Sequence, residues 1–150
     1  MKRSFCSSFS SKTTKLLAAM LAREVLRTRP EKRAVVIALE GELGAGKTTF
    51  VQGFIKACGI SSRVTSPTFL IMRKFQIPNS RFQILFHIDA YRLNNSGELP
   101  ALGFREILSD PQNIVLIEWA DKIKKIIPKN AVWIKFGHGA KSDERIISVK

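Results

Sequence analysis

The chain is short of cysteine, short of acid, and has no long apolar run. Its 150 residues include two cysteines, Cys6 and Cys58, in unrelated contexts without metal-ligand spacing. This argues against a disulfide scaffold or a cysteine-built metal site and reads as free thiols in a reducing compartment. No apolar stretch approaches the roughly 20 residues that a membrane-spanning helix needs, so no membrane partner is expected. A secretory signal core is also missing, and with the free thiols this points to the cytoplasm. There is no internal repeat and no break in composition to mark a second domain. An apolar content of 45% with 25% charged residues is enough for one well-filled core.

The shortage of acid is the larger imbalance. Twelve acidic residues against 25 Lys and Arg give a net charge of +13. Such a surface gains affinity for polyanions by releasing their counterions. The cations are nevertheless scattered, over the N-terminal tail, 23–33, 73–81 and 122–129, and no aromatic-interleaved RNA motif accompanies them. Direct RNA contact and a plain solvated basic surface both remain open. The first 23 residues hold many serines and no acid, a pattern shared with organellar transit peptides. Against that, Leu16, Leu17, Met20, Leu21, Val25 and Leu26 recur on one face of a helix spanning 14–26. The expectation is a disordered basic tail over 1–11 and one folded domain over 12–150.

What the chain does have is Gly-Glu-Leu-Gly-Ala-Gly-Lys-Thr at 41–48, a complete G-x-x-x-x-G-K-[ST] phosphate-binding loop. Its glycines let the backbone N–H groups close around an anion. Lys47 supplies a positive charge for the outer phosphates, and the Thr48 hydroxyl suits Mg²⁺ bridging two phosphate groups. The apolar run 34–39 before the loop reads as a buried strand, and 49–57 after it as a helix stopped by Gly59. Strand, loop and helix in that order are what a P-loop requires. The candidate nucleotide contacts are Glu42, Leu43, Gly44, Ala45, Gly46, Lys47, Thr48 and Thr49, with ATP and Mg²⁺ as the expected ligands.

Two later strands each end in an acid: 82–89 closes on Asp89, and 114–118 on Glu118, followed by Trp119. Ligands bind at the C-terminal edge of open α/β sheets, so Asp89 and Glu118 are candidates beside Lys47 and Thr48. One would hold the metal with Thr48 while the other orients the attacking water. His87 shares a strand face with Asp89 and reads as a structural histidine, or as a partner of the metal site or of Asp89. Trp119 either packs in the core or stacks near the nucleotide. Residues 64–69 form a hydroxyl-rich bend around Pro67 that reads as a phosphate-sensing loop or a simple turn. A broken helix is expected over 98–109. A terminal hairpin over 131–136 and 145–149 is expected to edge the sheet, with His138 in its turn. Arg145 and the N-terminal helix are candidates for flanking the base.

Four markers, 41–50, Ser-Pro-Thr-Phe at 66–69, His-Ile-Asp-Ala-Tyr-Arg-Leu at 87–93 and Ile-Glu-Trp-Ala-Asp at 117–121, closely resemble the bacterial TsaE (YjeE) family. The resemblance runs along nearly the whole chain. It implies a single P-loop NTPase-like α/β domain, its central sheet mostly parallel with antiparallel edge strands and flanked by helices. It implies slow ATP hydrolysis with Mg²⁺ and docking on the TsaD–TsaB pair, which transfers threonylcarbamoyl to adenosine 37 of tRNAs reading codons that begin with A. By the same resemblance, Lys47 and Thr48 are the phosphate and Mg²⁺ groups, Asp89 is the metal-linked acid, Glu118 and Trp119 are the pair needed for activity, and Thr65, Ser66 and Thr68 belong to a switch-like loop. Two departures stand out. Glu42 replaces the usual Asp at a position that faces outward from the loop, and 70–74 is more apolar and basic than the family pattern, which touches partner docking rather than the core site.

Two other classes compete. A binding module switched by ATP occupancy would need the same loop without productive turnover. A small-molecule kinase would need an Arg-rich lid and an acceptor-binding Asp-x-Asp pattern, and neither is found.

Overall fold

The computed structural model describes residues 4–65, 70–93 and 97–150. Seven strands form one sheet in the order β1-β7-β6-β2-β5-β4-β3. The four central strands, β6 (Val132–His138), β2 (Val35–Gly41), β5 (Asn113–Glu118) and β4 (Ile84–Asp89), run parallel. Antiparallel partners flank them: β3 (Met72–Gln76) beside β4, and β7 (Arg145–Val149) with β1 (Ser4–Ser8) beyond β6. The parallel strands are apolar on both faces, as a sheet covered on both sides requires. Ile37, Leu39, Leu85, Ile114 and Leu116 pack under helices α1 (Ser11–Arg27) and α2 (Lys47–Ala57). Val36, Ala38, Ile88, Val115 and Ile117 point the other way. They pack under Leu99, α3 (Phe104–Ser109) and the 3-10 segment Ala120–Ile126. The expected mixed α/β architecture of a P-loop NTPase-like domain is present. No helix among the described residues is long and apolar enough to cross a membrane.

Two expectations need correction. Residues 4–8 are not a tail, because Ser4–Ser8 pairs along its whole length with β7. The strand is held by its backbone and by Ser8, whose buried hydroxyl lies 2.8 Å from Thr14 Oγ1. Ser10 then caps α1 by accepting from Thr13 N at 3.1 Å. Consequently the terminal hairpin is not the sheet edge either: β6 joins β2 in the interior, and β1 covers β7. His138 is the last residue of β6, paired with Arg145, and the turn falls beyond it. The broken helix over 98–109 is present as Pro100–Leu102 and α3, parted at Gly103. Both cysteines are free; burial pushes the Cys58 thiol up to about 12, so it stays protonated, and Cys6 is exposed.

Helices α1 and α2 cross closely at Gly53. A Cβ there would lie 2.6 Å from the Lys15 backbone, which cannot give way without parting the helices. Gly53→Val is therefore expected to destabilise the fold by about 2–3 kcal/mol, the usual cost of overpacking. That corresponds to a melting temperature lower by roughly 5–10 °C for a domain of this size. A melting temperature unchanged from wild type would show that the crossing has slack.

Candidate functional site

The site is built at the C-terminal ends of the three adjacent strands β2, β5 and β4. Their register brings Leu39 beside Glu118, and Glu118 beside Asp89. The chain leaves β2 through the glycine loop and enters α2 at Gly46, whose φ of +104° is one a side chain would strain. Phe50, in the first turns of α2, meets Phe136 edge-on at 5.5 Å, which fixes the start of the helix against β6. Arg145 of β7 donates to the Gly44 carbonyl at 3.2 Å, so the terminal hairpin steadies the loop from the other side.

Residues 43–49, Asp89, Glu118 and Trp119 line one cleft of about 370 Å³, with Tyr91 at its wall. Glu42 does not line it and instead lines a neighbouring hollow, with Trp119, Asp121 and Lys135. Of the sequence-predicted contacts, Glu42 is the one that does not line the cleft. Thr65 is exposed, and Ser66, Pro67 and Thr68 lie outside the described residues.

Within the cleft the polar groups are tied to one another. Lys47 is buried and donates to the carbonyls of Gly41 and Glu42, the latter at 2.9 Å. Its ammonium also sits 3.9 Å from the centre of the Trp119 ring. Trp119 reaches that place through a left-handed backbone, φ 57° and ψ 38°, immediately after Glu118. Burial lowers the Lys47 pKa from the ordinary lysine value, against Glu118, Asp121 and Asp89, which raise it. An anion in the cleft would favour the charged form.

Glu118 is the hub. It is 2% exposed, and its two oxygens have different partners. Oε1 accepts from the Thr48 hydroxyl at 2.6 Å, and Oε2 lies 2.6 Å from His87 Nε2. His87 is fully buried, and its Nδ1 has no hydrogen-bond partner among the described residues. A proton on Nδ1 would be buried and unsatisfied, which favours the tautomer that carries it on Nε2, toward Glu118. The histidine thus pairs with Glu118 rather than with Asp89. Asp89 accepts from the Tyr91 backbone N–H at 2.9 Å.

Two participants were not singled out in the sequence, Tyr91 and Lys122, and of the partners open to His87 the structure shows Glu118. Tyr91 and Trp119 rings lie 4.9 Å apart, and Lys122 donates to the Tyr91 carbonyl at 2.7 Å. The exposed Tyr91 lies in the quoted 87–93 segment, and a basic residue three positions after the Glu118–Trp119 pair is the only other local signal.

No three His, Cys, Asp or Glu side chains converge into a self-sufficient metal cage among the described residues. What the cleft offers is the Thr48 hydroxyl beside Glu118, with Asp89 on the adjacent strand. A few hard oxygens next to a phosphate loop fit Mg²⁺, which retains waters and completes its shell from phosphates. The same donor set would fit Zn²⁺ poorly, since it has no thiolate or converging imidazoles.

The geometry has counterparts among known proteins. Residues 9–147 match the family described as threonylcarbamoyl adenosine biosynthesis protein TsaE. The chain is 40% identical over 113 residues to the tRNA threonylcarbamoyladenosine biosynthesis protein TsaE of Bacillus subtilis, covering 75% of this chain and 67% of that one. It is 31% identical over 115 residues to the protein of the same name from Haemophilus influenzae, covering 77% and 70%. The crystal structure of Bacillus subtilis YdiB superposes with a TM-score of 0.72 at 28% identity, over 99% of this chain and 84% of that one. Because the match extends from the start of α1 to β7 and takes in the glycine loop, both strand-end acids and Trp119, the chain belongs to the TsaE family.

Proposed function

We propose that this protein binds ATP with Mg²⁺ and hydrolyses it slowly, as the nucleotide-dependent partner of the TsaD–TsaB pair in threonylcarbamoyl modification of tRNA adenosine 37. The observation that carries the reading is the hydrogen-bonded line Thr48–Glu118–His87 beside a complete phosphate loop. An ordered carboxylate beside such a loop supports a role for Glu118 in orienting water near the outer phosphate. The pathway and the TsaD–TsaB pair come from the family resemblance, and the names of the relatives support the pathway.

In this mechanism the loop N–H groups and the N-terminus of α2 hold the phosphates. Lys47 leaves its carbonyl partners for the outer phosphate oxygens, where its charge stabilises the transferring group. Mg²⁺ would supply charge neutralisation between the β- and γ-phosphates. Glu118, fixed by His87, orients a water for in-line attack on the γ-phosphorus and accepts its proton. The bond to the β–γ bridging oxygen breaks, giving ADP and phosphate. Asp89 serves as the metal-linked acid, and Trp119 closes the cleft over Lys47.

One observation favours a second reading, in which occupancy rather than turnover is the function. Lys47 holds Trp119 by a cation–π contact, so drawing the ammonium toward a nucleotide would free an aromatic surface. A partner could sense that change without any hydrolysis.

Phosphate release from ATP by the purified protein, alone and with TsaD–TsaB, tests the main reading. The expected result is slow release alone and a clear rise with the pair. Turnover indifferent to the pair would retain the nucleotide site and remove the assigned partners.

A further inference from the structure

The outer surface of the α1–α2 pair carries a second feature, separate from the nucleotide cleft. Lys12, Lys15 and Arg23 of α1 and Lys56 of α2 line one groove of about 570 Å³, floored by Ala19 and Gly53 among other small residues. No acidic side chain lines it, and no residue is shared with the phosphate-loop cleft. The two helices carry a single acid between them, Glu24, and it is paired with Arg27 at 2.9 Å. None of the four groove cations makes an ion pair among the described residues.

We propose that this groove binds the phosphodiester backbone of RNA. Four uncompensated cations around one depression repel each other, and the arrangement is relieved by a polymer of negative charge. Lys12 to Arg23 extends over roughly 16 Å of helix, the reach of a strand of successive phosphates rather than of one carboxylate. The small floor, left open where Gly53 lets the helices meet, allows a backbone to approach closely. Phe9, two residues before α1, is 49% exposed, an aromatic face close in sequence to Lys12 that suits an unpaired base. The inference stands apart from ATP hydrolysis and survives its failure.

The test is fluorescence anisotropy with a labelled tRNA transcript over a series of KCl concentrations. It compares wild type, a groove variant (Lys12→Gln, Lys15→Gln, Arg23→Gln, Lys56→Gln) and a control variant (Lys125→Gln, Lys129→Gln, Lys135→Gln, Lys141→Gln). Both variants lose the same charge from exposed positions, and glutamine keeps helix propensity. The groove variant is expected to bind about 30-fold more weakly or worse, with its salt slope reduced by about three. The control should keep most of the wild-type slope, and all three proteins should bind an ATP analogue equally, which verifies folding. If the fourfold variant melts early, the Lys12–Lys15 and Arg23–Lys56 double variants carry the same comparison with half the change. Equal weakening in groove and control variants would overturn the site, as would a wild-type protein that ignores tRNA. Should the groove variant instead lose only TsaD–TsaB binding, the RNA assignment falls and the groove belongs to an acidic protein face.

Discussion

Replacing Lys47 by alanine is expected to weaken ATP binding about 100-fold or more, because no other described residue lining the cleft is cationic. Hydrogen bonds to a charged partner are worth about 1.5–3 kcal/mol each, and the ammonium would reach more than one phosphate oxygen. The structure sharpens the expectation. Lys47 is buried and its pKa is lowered by that burial, so the fold carries a desolvated cation that only the loop carbonyls, Trp119 and nearby carboxylates offset. An anion at the loop turns that cost into affinity. Lys47→Arg should not rescue binding, since the wider guanidinium does not fit where a single ammonium meets two carbonyls. Titration calorimetry with an ATP analogue measures both variants, and circular dichroism checks that the loop substitution leaves the fold intact. Alanine binding with wild-type affinity would remove the phosphate-loop assignment altogether.

The parts legible in the sequence were those encoded locally. Eight consecutive residues specify the glycine loop, and an apolar run or a helical stripe beside it tells which way the chain enters and leaves. Asp89 and Glu118 could be placed at strand ends because each closes an apolar run. Local pattern did not reveal register. His87 and Asp89 share a face of β4, and sequence alone left the histidine as structural, or as a partner of the metal site or of Asp89. The lateral offset between β4 and β5 pairs Asp89 with Glu118 and leaves His87 diagonal to the same carboxylate, within 2.6 Å. The tail shows a second limit. Ser4–Ser8 has no alternation of apolar and polar residues to announce a strand, because four of its five residues are exposed and its hold on β7 is through the backbone. The misplacement of the hairpin follows from that omission, since an unseen edge strand makes its neighbour look like the edge.

Glu118→Gln is expected to lower the rate of ATP hydrolysis by about 10²–10⁴-fold, the range for loss of a positioned general base, with ATP affinity within a few-fold of wild type. Glutamine keeps the size of a side chain that is 2% exposed, so packing around β5 should survive. It also removes a negative charge that supports the Lys47 ammonium, but bound triphosphate supplies that support itself. Single-turnover phosphate release and analogue binding separate the two effects. If binding fails along with turnover, Glu118 acts by holding the loop through Thr48 rather than by acting on water. The neighbouring histidine refines the same experiment. His87→Leu removes the donor on Oε2 and should reduce kcat while sparing affinity, whereas His87→Gln, which can still present an N–H toward Glu118, should recover part of the loss. Equal deficits in the two histidine variants would reduce His87 to packing. The decisive comparison is made with TsaD–TsaB and tRNA. A Glu118→Gln protein that binds ATP, does not hydrolyse it, and still supports threonylcarbamoyl transfer over many cycles would show that occupancy is the signal. A protein that supports one cycle and then stalls would show that hydrolysis resets the assembly, with Glu118 as the residue that times the reset.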